Sequence, residues 1–308
     1  MKTRYYFLIL VVLAVGFWLY KRQFPLVDPI TLAHHEEEAI PKKIVEKTKL
    51  KARTKISKKP VPAVTAPSSS LAKAEPKSSP PPKTIEFVLD EEGNAIAFGD
   101  VILGRPTVEL KEKGGVAAPP KVKLWETLDI PYHIVEPFPH PERVQEAFEY
   151  FNDTTIRFVP FNGQQDAIVF QAKEGKCKSY LGRVGGHQPI WLSDNCYAPE
   201  IAHEIMHALG FIHEHSRTDR DQYIDVLWDN IEELYKTQFA IVPESLMSFH
   251  KGMPFDYNSI MIYRPDSFAK RGGLSTLKSK TNIAVAPVMG LSKIDIERVN
   301  RVYTAHAP

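Results

Sequence analysis

Hydrophobic and polar positions change rhythm several times along this chain. Tyr5 to Tyr20 carries no charge and lies between Lys2, Arg4 and the pair Lys21-Arg22. From there to about Lys83 no periodicity is sustained. Residues 85–89 alternate as a strand, Glu92-Gly93-Asn94 is a turn, and 95–103 predict a second strand. Residues 141–151 predict an amphipathic helix with Val144, Ala147, Phe148 and Phe151 on one stripe. Strands are expected at 156–160 and 167–172, then a glycine-rich turn through Gly182, Gly185 and Gly186, then an edge strand at 190–192. Residues 199–209 form a buried helix opened by Pro199. Another helix is predicted over 228–242. A last one begins with the capping box of Ser292 and Asp295 and buries Ile296, Val299 and Tyr303.

Composition sharpens this outline. Of 308 residues 43% are hydrophobic, ample for a core in one large domain or two. The net charge of +2 conceals an uneven spread. Residues 42–59 hold nine Lys/Arg against Glu46, and a Pro/Ser/Ala-rich tract follows to Lys83. Such a composition buries too little apolar surface to offset its ordering entropy, so 23–83 are expected to be a disordered tether. Its basic run is either simply solvated or drawn to anionic lipid or cell-wall polymer. No aromatic residues interleave the lysines, which argues against a nucleic-acid groove. Residues 1–22 are expected to be a signal anchor, since the charge-free run nears the roughly 20 residues of a membrane span. Ala14-Val15-Gly16 keeps a cleaved signal peptide open as the alternative.

The densest chemistry lies in the eleven residues His203 to His213. On a helix His203 and His207 stand four residues apart and project from one face. Gly210 can take the left-handed conformation that ends the helix, so the chain reverses and brings back His213. Three neutral imidazoles suit one tetrahedral Zn2+ with an open position, and Glu204 is placed as general base. A zinc-binding scaffold without catalysis is the rival class, and the intact Glu204 argues against it. No G-K-[ST] ending follows the glycine-rich turn, which excludes a phosphate-binding loop.

His203-Glu204…His207…Gly210…His213 matches the metzincin signature. Its continuation His213-Glu214-His215-Ser216-Arg217-Thr218-Asp219-Arg220-Asp221 resembles the astacin metallopeptidases, as do Trp125, the strand opening Ile130-Pro131-Tyr132 and the late pattern Leu291, Ser292, Asp295, Asn300, Val302, Tyr303. Tyr257 to Tyr263 resembles their Met-turn, with Ile262 where histidine is usual. The resemblance implies an α+β, two-lobed metzincin fold with a twisted, mostly antiparallel sheet and the zinc-site helix in the cleft. It implies that Met261 floors the imidazoles and that Tyr263 is a switchable fifth ligand that stabilises the oxyanion. It joins Cys177 to Cys196, a bridge worth roughly 3 kcal/mol in an oxidising compartment. Thr155 stands where the family's second disulfide has a cysteine. Glu214 is the position that pairs with the new N-terminus after trimming, and Lys270 or Arg271 would favour acidic substrate residues.

Upstream, Phe98-Gly99-Asp100-Val101 resembles the pro-segment of bacterial astacin-like proteins, the closest match in layout, and implies Asp100 as a latency ligand. No cysteine lies there, which excludes a cysteine switch. Residues 84–115 are therefore expected to be pro-segment and activation linker, with Lys111 and Lys113 as cleavage points, and 116–308 the catalytic domain. The expected protein is a latent zinc endopeptidase, monomeric by default and extracytoplasmic, either anchored in the membrane or secreted. It would bind peptide or protein substrate as an added strand along the cleft and bind no nucleic acid.

Overall fold

The structure is a computed structural model whose described residues are 82–106 and 114–306. The charge-free run 5–20, the basic tether and the candidate cleavage points Lys111 and Lys113 lie outside them. Among the described residues no helix is long and apolar enough to cross a membrane.

Eleven strands and three α-helices follow one another along the described residues. Four strands come first: β1 (Ile85–Leu89), β2 (Ala95–Ala97), β3 (Val101–Gly104) and β4 (Gly114–Ala117). Then come β5 (Asp129–Ile134), helix α1 (Pro141–Glu149), β6 (Arg157–Pro160), β7 (Ala167–Ala172), β8 (Lys178–Tyr180) and β9 (His187–Leu192). Helix α2 (Ala198–Ala208), the short pair β10 (Ile224–Val226) and β11 (Leu277–Ser279), and helix α3 (Lys293–His306) complete the set. Strands β1 to β9 form a single sheet in the order β4-β1-β2-β3-β8-β9-β7-β5-β6.

That sheet is mixed, which corrects the expectation of a mostly antiparallel one. Strand β5 pairs parallel with β6 and β7, and β7 parallel with β9. Helix α1 is the crossover that makes β5 and β6 parallel neighbours. The antiparallel pairs are β8 with β9 and those among β1 to β4. The predicted edge strand is interior as well, because β9 carries β7 on one side and β8 on the other. The chain doubles back through Gly182, Gly185 and Gly186, all at positive φ, and lays β8 outermost in the catalytic part.

Side-chain alternation puts Ile190 and Leu192 of β9 into the main core with Ile130, Ile168 and Phe170. Val144 and Ala147 of α1, Ile201 and Ile205 of α2, and Val299 of α3 close over the same face. A second apolar cluster around Phe239, Phe255 and Ile262 fills the irregular lower part, so the fold is α+β and two-lobed. The predicted helix over 228–242 is instead two 3-10 segments, Trp228–Asn230 and Glu233–Phe239. Between them Ile231 bridges to Ala269 and Glu232 donates to the Phe268 carbonyl, and those pairings replace helical ones. The predicted strand 95–103 breaks at Phe98 and Gly99, where φ is 53° and 100°.

Cys177 and Cys196 are joined, tying β8 to the entry of α2. The chain has no further cysteines for a second bridge, and the Asn300 side chain of α3 ties down the segment around Thr155 instead. It accepts from the Thr155 N–H at 2.6 Å and donates to the Asp153 carbonyl at 3.1 Å. Asn300→Ala should therefore lower stability by roughly 1–3 kcal/mol, read from denaturant unfolding, because the Thr155 N–H loses its partner. The same measurement on Cys177→Ser/Cys196→Ser should show a loss of about 3 kcal/mol.

Candidate metal centre and active-site cleft

Helix α2 starts where Pro199 fits the first turn and the Tyr197 N–H donates to Glu200 Oε2 at 3.1 Å. It ends at Gly210, whose φ of 101° suits glycine. The reversal after it delivers His213, and the Glu214 N–H locks the loop onto the Met261 carbonyl at 2.8 Å. Two ring orientations are set by the backbone. His203 Nδ1 donates to the Ile260 carbonyl at 2.9 Å and His207 Nδ1 to the Phe211 carbonyl at 2.8 Å. His213 Nε2 lies 3.1 Å from His203 Nε2 and 3.3 Å from His207 Nε2.

His203 and His207 spend their Nδ1 protons on carbonyls, so the converging Nε2 atoms call for a proton or a cation between them. Nitrogen donors in this number suit zinc. A fourth donor stands with them. The Asp100 carboxylate lies 3.4 Å from His207 and 3.2 Å from His213, with 3.7 Å to His203. These four ligand atoms all fall within 4.8 Å of one another. The left-handed Phe98 and Gly99 turn Asp100 inward, and a Cβ on Gly99 would come within 2.8 Å of Gln238 Oε1.

Burial alone would raise the Asp100 carboxyl, but the His213 charge and hydrogen bonds from the three imidazoles hold it well below the usual range. Burial drops His207 to about 4, against the pull of Asp100. Glu204 lines the same cleft, and burial, then the Asp100 charge, push its carboxyl well above the ordinary value. Tyr263 stands across from it and donates its hydroxyl to the Phe98 carbonyl at 3.0 Å. Its ring lies against His215, centroids 3.9 Å apart.

Met261 is 1% exposed and packs in the main core. Asp295 of α3 holds the Met-turn in place, accepting from Ser259 Oγ at 2.7 Å and from the Ile260 N–H at 2.9 Å. The same residue closes the capping box with Ser292. Its hold on the Met-turn joins residues 36 apart and has no signal along the chain.

Glu214 sits in a buried cluster of charges. It is fully buried, with two contacts to Arg298 at 2.6 and 2.7 Å, one to Arg217 at 3.0 Å and one to the Asp256 N–H at 2.7 Å. Oε1 accepts three of these contacts and Oε2 one. Lys270 and Arg271 are exposed and do not line the cleft. Lys176 and Arg264 line it instead, with Gln238 and Phe268. No motif marks these four, since loop packing alone brings them to the cleft of 370 Å³.

The family model "Astacin", which describes a peptidase family, matches residues 117–304. The chain belongs to the astacin family. It is 37% identical over 188 residues to zinc metalloproteinase nas-14 of Caenorhabditis elegans, covering 59% of this chain and 37% of that protein. It is 37% identical over 217 residues to zinc metalloproteinase nas-8 of Steinernema carpocapsae, covering 67% of this chain and 51% of that one. The chain thus spans about half or less of these two relatives' lengths. Among solved structures, high choriolytic enzyme 1, a hatching enzyme zinc-protease of medaka, superposes with a TM-score of 0.53 at 32% identity, covering 59% of this chain and 94% of that one. The astacin match begins at residue 117, so β1 to β3 with Asp100 fall outside it.

Arg298→Ala should destabilise the fold by about 3 kcal/mol in equilibrium unfolding, because Glu214 keeps its burial and loses its bidentate partner. His250 is buried beside this cluster. Burial, then the Arg298 and Arg217 charges, hold its pKa well below the ordinary value. Such a histidine stays neutral in the fold but protonates when unfolded below about pH 6.5, so stability falls as pH drops through that point. His250→Leu should make the stability-against-pH slope between pH 6.5 and 5 shallower by up to about 1.4 kcal/mol per unit.

Proposed function

We propose that this astacin-family chain is a zinc-dependent endopeptidase held latent by its own residues 84–106. The observation that carries the reading is the set of three converging imidazole nitrogens with Glu204 in the same open cleft. His203, His207 and His213 would hold the zinc ion, which when bound supplies Lewis acidity toward water and the scissile carbonyl. Every proton movement then falls to the chain itself. The Glu204 carboxylate takes the proton of the attacking water and passes it to the departing amine nitrogen. Its burial favours the protonated form between those two moments. The Tyr263 hydroxyl, released from the Phe98 carbonyl, donates to the oxygen where negative charge develops. Substrate backbone pairs with β8, the strand that carries β3 in this form.

Latency follows from the same contacts. Asp100 supplies a carboxylate where substrate and water must enter, and Phe98 occupies Tyr263. Cutting within the linker 107–113 frees both. The disulfide supports a location outside the cytoplasm, with residues 1–22 as membrane anchor or export signal and 23–83 as tether.

In zinc-loaded full-length protein, Asp100→Ala should cleave a peptide library that the parent leaves intact; equal turnover by both would remove the latency reading. Adding Glu204→Ala to that variant should lower the rate by at least about 10²-fold while bound zinc, measured by elemental analysis, stays at one per chain.

A further inference from the structure

The main core covers only one face of β9. Ile190 and Leu192 point into it, while Trp191 on the other face joins a separate cluster with Ile96, Ile102 and Tyr180. Register fixes who shares that outward face. Lys178 stands opposite Trp191, Ile102 opposite Tyr180, and Ile96 opposite Ile102. Trp191 is 8% exposed with Ile96 and Ile102 in place. Two lysines frame the indole. Lys173 Nζ sits 3.4 Å from its ring centroid and 2.8 Å from Glu92 Oε2. Lys178 Nζ lies 3.8 Å from Asp90 Oδ2.

We propose that this outward face of β8 and β9 is a recognition surface for an extended polypeptide bearing carboxylates and β-branched apolar residues. Residues 90–102 occupy it here, and substrate occupies it once they leave. The proposal deepens the peptidase reading and rests on it. Departure of β1 to β3 uncovers an indole, a phenol, two ammonium groups and the free edge of β8 together, a patch that is apolar with a cationic rim. The displaced segment displays the complementary chemistry: two isoleucines on the rings and two carboxylates on the ammoniums. Substrate is the occupant because the patch continues the cleft. Asp100 stands among the imidazoles, and the next residue, Val101, already pairs with Ser179 of β8. Any chain that crosses the metal centre and adds to this edge must lay alternate side chains on Tyr180, Trp191 and Lys178.

The test uses the full chain with a specific protease site placed within 107–113, loaded with zinc and nicked. A labelled peptide of residues 88–104 carrying Asp100→Ala, which removes its metal ligand, is titrated by fluorescence anisotropy. Lys173→Glu/Lys178→Glu should weaken its binding by at least about tenfold, and a peptide with Asp90→Lys/Glu92→Lys should restore binding to the reversed protein. In parallel, kcat/KM is compared for one cleavable peptide with and without an acidic, isoleucine-containing extension. The extension should raise it about tenfold in the parent, and that ratio should collapse in the double variant. A parent that does not bind the peptide, or binds it and its Asn/Gln analogue equally, overturns the proposal. So does cleavage whose ratio ignores the lysines, although the peptidase reading then survives. Charge-dependent binding without any cleavage removes the peptidase reading and leaves the recognition surface standing.

Discussion

The structure around the cleft answers to the convergence of three imidazole Nε2 atoms on one point. They approach to 3.1 and 3.3 Å, a geometry a protein holds only by fixing each ring from behind. The Ile260 and Phe211 carbonyls fix two of them, and the loop after Gly210 fixes the third through its bond to Met261. Ile260 and Met261 are held in turn by Asp295 from the last helix, the second through Ser259. The histidine cluster is therefore held from segments far apart in the chain, and α3 supports it as much as the histidine helix does.

Three carboxylates divide this labour. Asp295 orders the Met-turn, Glu214 neutralises Arg298 and Arg217, and Asp100 meets the imidazoles directly. Asp295 and Glu214 are fully buried with partners that offset their desolvation, and Asp100 is 16% exposed. One Glu204 oxygen is buried with no hydrogen-bond partner, a condition that suits a group trading a proton. Residues 98–100 link two of these sites by a single turn, where Phe98 engages Tyr263 and Asp100 engages the histidines.

The histidine helix, its glycine stop and both amphipathic flanking helices were legible along the chain because their signals are local. A four-residue spacing and an apolar stripe are properties of one helix. The strands were legible in position but not in partner. Residues 190–192 read as an edge because nothing in their own pattern reveals that β8 folds back beside them. Residues 228–242 read as a helix because their composition allows one, and the competing bond to Phe268 comes from a segment far along the chain.

By itself, then, the sequence determined the histidine cluster with Glu204 beside it, the disulfide pair and the family, since each depends on residue type at fixed short spacing or on a matched motif. Tertiary structure alone decided the mixed sheet, the burial of Glu214 under two arginines, the Lys176 and Arg264 lining of the cleft, and the seat of Ile96 and Ile102 on Trp191. Those outcomes depend on which distant segments compete for one carboxylate, one sheet edge or one ring face. No local pattern encodes such a competition, because its result is set by the partners that folding brings within reach.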